Sequence, residues 1–226
     1  MKKISRRVTW GVLLMQLLMS IYANTAVARV TFCDLNSTPA NIGGVILEKC
    51  AYGDAELPPQ EAVAAEVRHL EDSFPPVAGF DVPVYTVRQR CSLPGFGMLA
   101  GCTIPNGNAV YLFASPRYSA YTVRVTNGVA RTERFGPYLA AYTVAHEFGH
   151  VVRYQLVDDR TLQEYLKLRG VQATDKQWSC HPEEIFAEDF RWLFGSEEAR
   201  HIPYLCSTDP PGEKEKQFFL KILAAN

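Results

Sequence analysis

From Gln60 to Asp72 apolar side chains recur three and four residues apart, so Val63, Val67 and Leu70 share one face. That spacing predicts an amphipathic helix, bracketed by Pro58-Pro59 and Pro75-Pro76. The pattern then shortens. Val82–Arg88 and Ala109–Ala114 are runs of β-branched and aromatic residues that read as strands. Between them, Cys91 to Cys102 contains Gly95, Gly97 and Gly101 and reads as a loop. Tyr121–Val125 and Val129–Arg134 flank Asn127-Gly128, a dipeptide suited to a two-residue hairpin turn. Beyond residue 137 the helical period returns. Helices are predicted over Tyr138–Val157, over Thr161–Arg169 with Gly170 as a stop, and over Pro182–Phe194, which opens on proline. A last helix is predicted over Glu213–Ala224. Strands followed by helices predict an α+β fold. No repeat, low-complexity run or long linker interrupts residues 29–226, so one domain is expected there.

Residues 1–28 stand apart. Lys2, Lys3, Arg6 and Arg7 precede an apolar run of 13 residues, Trp10 to Tyr22, and Ala26-Val27-Ala28 offers small residues at the positions a signal peptidase reads. The segment is therefore expected to be a signal peptide cleaved after Ala28. The competing reading, an uncleaved anchor, needs about 20 apolar residues. Charge sharpens the division. The 226 residues hold 23 basic and 24 acidic side chains, a net of −1. Without the leader, 19 basic residues face 24 acidic ones, a net of −5. That balance excludes an electrostatic footprint for nucleic acid. A chain that is 47% hydrophobic and 21% charged is not collagenous, coiled-coil or largely disordered either. The expectation is a secreted monomer, extracellular or periplasmic, with no membrane span in its mature form.

Export gives the cysteines a meaning, because an oxidising compartment favours disulfides. Cys33, Cys50, Cys91, Cys102, Cys180 and Cys206 are expected to pair locally as Cys33–Cys50, Cys91–Cys102 and Cys180–Cys206. No Cys-x-x-Cys pair suggests a cysteine metal site.

The chemistry is concentrated in His146-Glu147-Phe148-Gly149-His150. Two histidines four apart on a helix project from one face, so both imidazoles can reach one ion. Glu147 lies about 100° round the helix, where its carboxylate can accept a proton from a water on that ion. A catalytic zinc needs a third protein ligand and one open position. The helix over Pro182–Phe194 offers Glu184 and Glu188 as an acidic stripe beside Phe186, Phe190 and Leu193. Two carboxylates on a largely apolar helix are costly to bury without a compensating cation. Glu184 is the expected third ligand. Glu188 is expected to accept the other ring N–H of a ligating histidine. Glu183 is the rival ligand, with Ala187 rather than a second acid one turn on. The arrangement with a third histidine at 156 is excluded, since Arg153 and Leu156 stand where glycine and histidine are required.

His146–His150 followed by Glu184-Ile185-Phe186-Ala187-Glu188-Asp189-Phe190 resembles the gluzincin zinc metallopeptidases, closest to the anthrax lethal factor catalytic domain and the Pro-Pro endopeptidases. The resemblance spans roughly residues 105–195, with firm motifs at 146–150 and 184–190. It implies a zincin-like domain, a small mixed sheet whose edge strand packs on the His-Glu-x-x-His helix, and one zinc ion held by His146, His150 and Glu184. It also implies Glu147 as general base. Ala109–Ala114 is similar in position to the edge strand on which such enzymes align a substrate backbone. These relatives place a tyrosine seven residues before the glutamate ligand, to stabilise the developing oxyanion. Gln177 stands there, so Gln177 or His181 would have to serve, unless His181 simply caps the helix that Pro182 begins.

The expected function is zinc-dependent endopeptidase activity on a peptide or protein substrate. The alternative is a secreted zinc-containing binding module or pseudoenzyme that recognises a peptide or cell-wall component without cleaving it. His69 and His201 read as surface or packing residues, and Arg117–Tyr121 with Arg131–Arg134 as solvated faces or groove walls.

Overall fold

The computed structural model describes residues 33–35, 41–42, 45–46 and 56–225, apart from 76, 78–79, 81, 89–91, 94–96, 99, 104–108, 172–179 and 206–208. For 33–35, 41–42, 45–46, 92–93, 97–98, 126 and 223–225 only the backbone is described. The leader, Cys50, Cys91, Cys206 and Gln177 lie outside these residues.

Strand β1 (Cys33–Leu35) precedes a two-residue pair, β2 (Asn41–Ile42) with β3 (Val45–Ile46), and helix α1 (Gln60–Ser73) follows. Val63, Val67 and Leu70 of α1 are buried, as their spacing predicts. Removing each from water contributes ~1.5–3 kcal/mol. Next come β4 (Val84–Val87), the short pair β5 (Ser92–Leu93) and β6 (Gly97–Met98), and β7 (Gly101–Thr103). Strand β8 (Val110–Phe113), a 3-10 turn (Pro116–Ser119) and the hairpin β9 (Tyr121–Thr126) and β10 (Val129–Arg134) complete the strands. Asn127 and Gly128 both have positive φ, 52° and 78°, as a two-residue hairpin turn requires.

The main sheet has the order β1-β4-β8-β7. β1, β4 and β8 run parallel, and β7 pairs antiparallel with β8. The crossover from β1 to β4 contains α1, so one helix sits among the strands. The arrangement is mixed α and β. One expectation is corrected here: Ala109–Ala114 holds an inner strand, and among the described residues β1 and β7 are the edges of the sheet. Val110, Leu112 and Phe113 are all fully buried, and only Tyr111 of β8 is partly exposed. Gly101 and Cys102 of β7 fall within the predicted 91–102 loop, because a strand of three residues that opens on glycine shows no period.

Four helices of the second half follow their predictions within a few residues: α2 (Gly136–Leu156), α3 (Asp159–Arg169), α4 (Pro182–Phe194) and α6 (Glu213–Ala225). A single turn, α5 (Glu197–Arg200), lies between the last two. Asp158 caps α3 by accepting from Thr161 N–H at 2.8 Å, and Gly170 ends it at φ 66°. Helix α2 is buried from Tyr138 to Arg153 on every side, so it is the axis of the molecule. It packs against α1, α4, α5, β7 and β8. Among the described residues no helix is long and apolar enough to cross a membrane.

Candidate metal centre

Two constraints bring α2 and α4 into register. Gly149 lies against the backbone of Ala187, where an added Cβ would stand 2.6 Å from the Ala187 Cα. Only glycine permits that approach. The contact sets the first and second turns of α4 opposite the histidine face of α2.

The result is a convergent group. Among the described residues, one ligand atom each of His146, His150 and Glu184 lie within 4.8 Å of one another. Glu184 Oε2 is 3.0 Å from His146 Nε2, and Glu184 Oε1 is 3.4 Å from His150 Nε2. Ligand atoms held ~2.1 Å from a small divalent ion in tetrahedral array stand ~3.4 Å apart, so the donor set and its spacing fit one such ion. Glu183, the rival, turns away: it accepts from the Tyr154 hydroxyl at 2.8 Å and lies 3.6 Å from Arg153.

Outer contacts hold the group. Glu188 Oε2 lies 3.2 Å from His146 Nδ1, leaving Nε2 to face Glu184. Glu188 is itself held by Arg191, from Nε to Oε2 at 2.9 Å and from Nη2 to Oε1 at 2.5 Å, and by the Leu205 N–H at 3.0 Å. Arg191 is fully buried, donates to the Ala199 carbonyl at 2.6 Å, and stacks over the Tyr142 ring at 4.6 Å. His150 Nδ1 is buried with no hydrogen-bond partner among the described residues, so the second imidazole lacks the brace the first has.

These contacts move protons. Burial disfavours the His146 cation, but hydrogen bonds to Glu184 and Glu188 outweigh it and raise its pKa to about 10. Burial would also raise Glu188, yet His146 and Arg191 hold it at about 2. Glu184 stays ionised well below the usual carboxylate range, burial being overcome by His150 and His146. A cation that takes His146 Nε2 must displace the imidazolium proton. Metal uptake at neutral pH should therefore release about one proton per ion, and affinity should rise with pH up to about 10. Titration calorimetry in buffers of different ionisation enthalpy measures that count; an uptake that releases none contradicts the assignment of His146.

Glu147 points the other way, to the free edge of the sheet. The Thr103 hydroxyl donates to Glu147 Oε2 at 2.7 Å and lies 3.0 Å from the Glu147 carbonyl. Gly101, two residues back, leaves the room: an added Cβ would stand 2.9 Å from Glu147 Oε1. Burial raises the Glu147 pKa, and His150, His146 and Thr103 oppose it. Thr103→Val keeps the shape and removes the donor. It should cost about tenfold or more in any rate that depends on Glu147, with metal content unchanged and Thr103→Ser restoring most of it. Equal rates in all three proteins would dismiss Thr103.

Four residues that matter here were not singled out from sequence. Arg191 carried a signal, three residues after Glu188 on one helix. Gly149 carried one too, as the small residue inside the histidine pair. Thr103 and Gly101 carried none, since their role depends on which strand lies beside α2. His181 occupies the N-cap position of α4, but its side chain makes no capping bond, contrary to that reading. His69 bonds Ser73 at 3.1 Å and His201 stacks on Tyr138 at 4.1 Å, both packing roles. Of the cysteines, Cys102 is half-buried and Cys180 buried, and no disulfide joins described residues. Their expected partners, Cys91 and Cys206, lie outside those residues, as do Cys50 and the side chain of Cys33. No protein-family model, curated protein or solved structure matches the chain.

Proposed function

We propose that the chain is a secreted zinc-dependent endopeptidase with Glu147 as general base. The observation that carries the reading is one helix turn with two roles. His146 and His150 converge with Glu184 on a metal-sized gap, while Glu147 between them lies against the free antiparallel strand β7. An extended peptide can add to that edge through main-chain hydrogen bonds, which would bring its carbonyls past Glu147. When bound, zinc would polarise the scissile carbonyl and acidify a water. Thr103 holds Glu147 Oε2, so Oε1 is the oxygen left to accept the proton. The same carboxyl then delivers that proton to the leaving amine. The raised proton affinity of Glu147 suits both halves of this exchange.

Profiling the purified protein against a peptide library tests the reading. Cleavage is expected with zinc, loss on chelation, and recovery when zinc is restored. A folded, zinc-loaded protein that cleaves no peptide would refute the peptidase and favour a binding module. Secretion is tested separately, by the N-terminal sequence of the exported protein, which should begin at Arg29.

A further inference from the structure

Helix α1 buries a carboxylate in its apolar face. Glu66 lies among Val63, Val67 and Leu70 and is buried with them. A buried carboxylate is costly unless something compensates it. No lysine or arginine pairs with Glu66 among the described residues. One residue of a distant segment holds both of its oxygens instead: the Ser196 N–H donates to Oε1 at 3.0 Å, and the Ser196 hydroxyl to Oε2 at 2.5 Å. The other buried acids have tasks of their own. Glu147 and Glu188 belong to the metal centre, Asp189 is held by Tyr165, Tyr204 and Arg169, and Glu215 closes the first turn of α6 on the Gly212 N–H.

What Glu66 grips leads to the metal centre. Ser196 is the N-cap of α5 and accepts from the Ala199 N–H at 3.1 Å. Gly195 before it lies tight on the end of α4 and on α2: an added Cβ would stand 2.5 Å from the Arg191 carbonyl oxygen and 3.3 Å from the Ala145 Cβ. The single turn of α5 is thus wedged against α2 and α4. Its far end presents the Ala199 carbonyl, which accepts from Arg191 Nη1 at 2.6 Å. The same guanidinium holds both oxygens of Glu188, and Glu188 lies on His146 Nδ1. From Glu66 to His146 every side chain on the path is buried.

We propose that Glu66 is a positioning residue for the metal centre. By fixing Ser196 it seats α5, α5 presents the carbonyl that aims Arg191 at Glu188, and Glu188 in turn orients the His146 ring. The role rests on the metal reading of His146, His150 and Glu184, and it concerns zinc affinity rather than the cleavage step. A carboxylate suits the task because its two oxygens take the amide and the hydroxyl of one residue together, which sets both the place and the direction of the α5 cap. An apolar residue at 66 would fill the same space in α1 and leave the Ser196 N–H buried without an acceptor.

Zinc affinity of the full chain, measured by competition with a chromogenic chelator, tests it. Glu66→Ala should weaken zinc binding about tenfold. Ser196→Ala, which removes only the hydroxyl, should weaken it about threefold and keeps the test open if Glu66→Ala does not fold. Glu66→Gln retains an oxygen for the Ser196 N–H and should recover most of the loss. Leu70→Ala is the control: it opens a cavity in the same helix and should lower the melting temperature without changing zinc affinity. In a double-mutant cycle, Glu66→Ala should weaken Arg191→Met no further, since the path is already cut. Wild-type zinc affinity in Glu66→Ala or Ser196→Ala would overturn the proposal and leave Glu66 a cap of α5. An equal loss in Leu70→Ala would overturn it too, as general loosening, and so would losses that multiply in the double variant. A wild type that takes up no zinc would overturn the metal reading itself, a result the unmutated protein shows without any variant.

Discussion

Glu147→Ala is expected to lower peptide turnover by about 10²–10⁴-fold while the protein still takes up one metal ion. The two halves come from different contacts. The group that could hold a metal is His146, His150 and Glu184, and its ion pairs run between Glu184 and the two imidazoles. The Glu147 carboxylate is buried against Thr103 and strand β7, where burial raises its pKa. Its removal takes away the proton acceptor and also relieves the cost of a buried carboxyl, so the variant should be no less stable. Turnover and metal content measured on one preparation decide the matter. Wild-type turnover from Glu147→Ala would place the base elsewhere. Glu184→Ala makes the contrast: metal and turnover should fall together.

Arg191→Met is expected to have the largest effect on stability, about 3 kcal/mol in urea unfolding. Arg191 is the cation that faces Glu188 from its own helix, one turn on, and both are essentially fully buried. Without it Glu188 keeps, among the described residues, the His146 N–H and the Leu205 amide. That remaining compensation puts the loss at the low end of the ~3–5 kcal/mol usual for breaking a buried pair. Metal affinity should fall with it, about 10–100-fold, because a loosened Glu188 no longer orients the His146 ring. Adding Glu188→Gln should recover stability without recovering affinity, since it removes the stranded charge but not the need for orientation. Arg191→Met with wild-type stability and affinity would show that the buried pair does not brace the ligand.

Helices read most readily here because their signals are local. Pro58-Pro59, Gly170 and Pro182 bracket α1, end α3 and open α4 by fixing or freeing backbone angles in place. The histidine pair is legible for the same reason: four residues of helix put two imidazoles one turn apart in any fold. The choice of Glu184 over Glu183 drew on a neighbouring acid at 188, which is again one turn of helix. Edge and centre of a sheet are not local properties. Whether β8 or β7 borders solvent depends on which segments pair with it, and β8 has a neighbour on each side.

By itself, then, the sequence determined the longer helices, the hairpin, the two histidines, the glutamate between them and the acidic helix that faces them. Helical geometry turns spacing directly into direction, and no distant residue is needed. Tertiary structure alone decided what surrounds them. Contact between Gly149 and Ala187 sets α4 at the distance that lets Glu184 bridge both imidazoles. Strand β7, 44 residues before Glu147, supplies the hydroxyl that holds it. The face of the hairpin that looks outward was likewise unreadable, because alternation names two faces and only the bonds from Arg124 to Glu197 and from Tyr138 to Glu133 select between them.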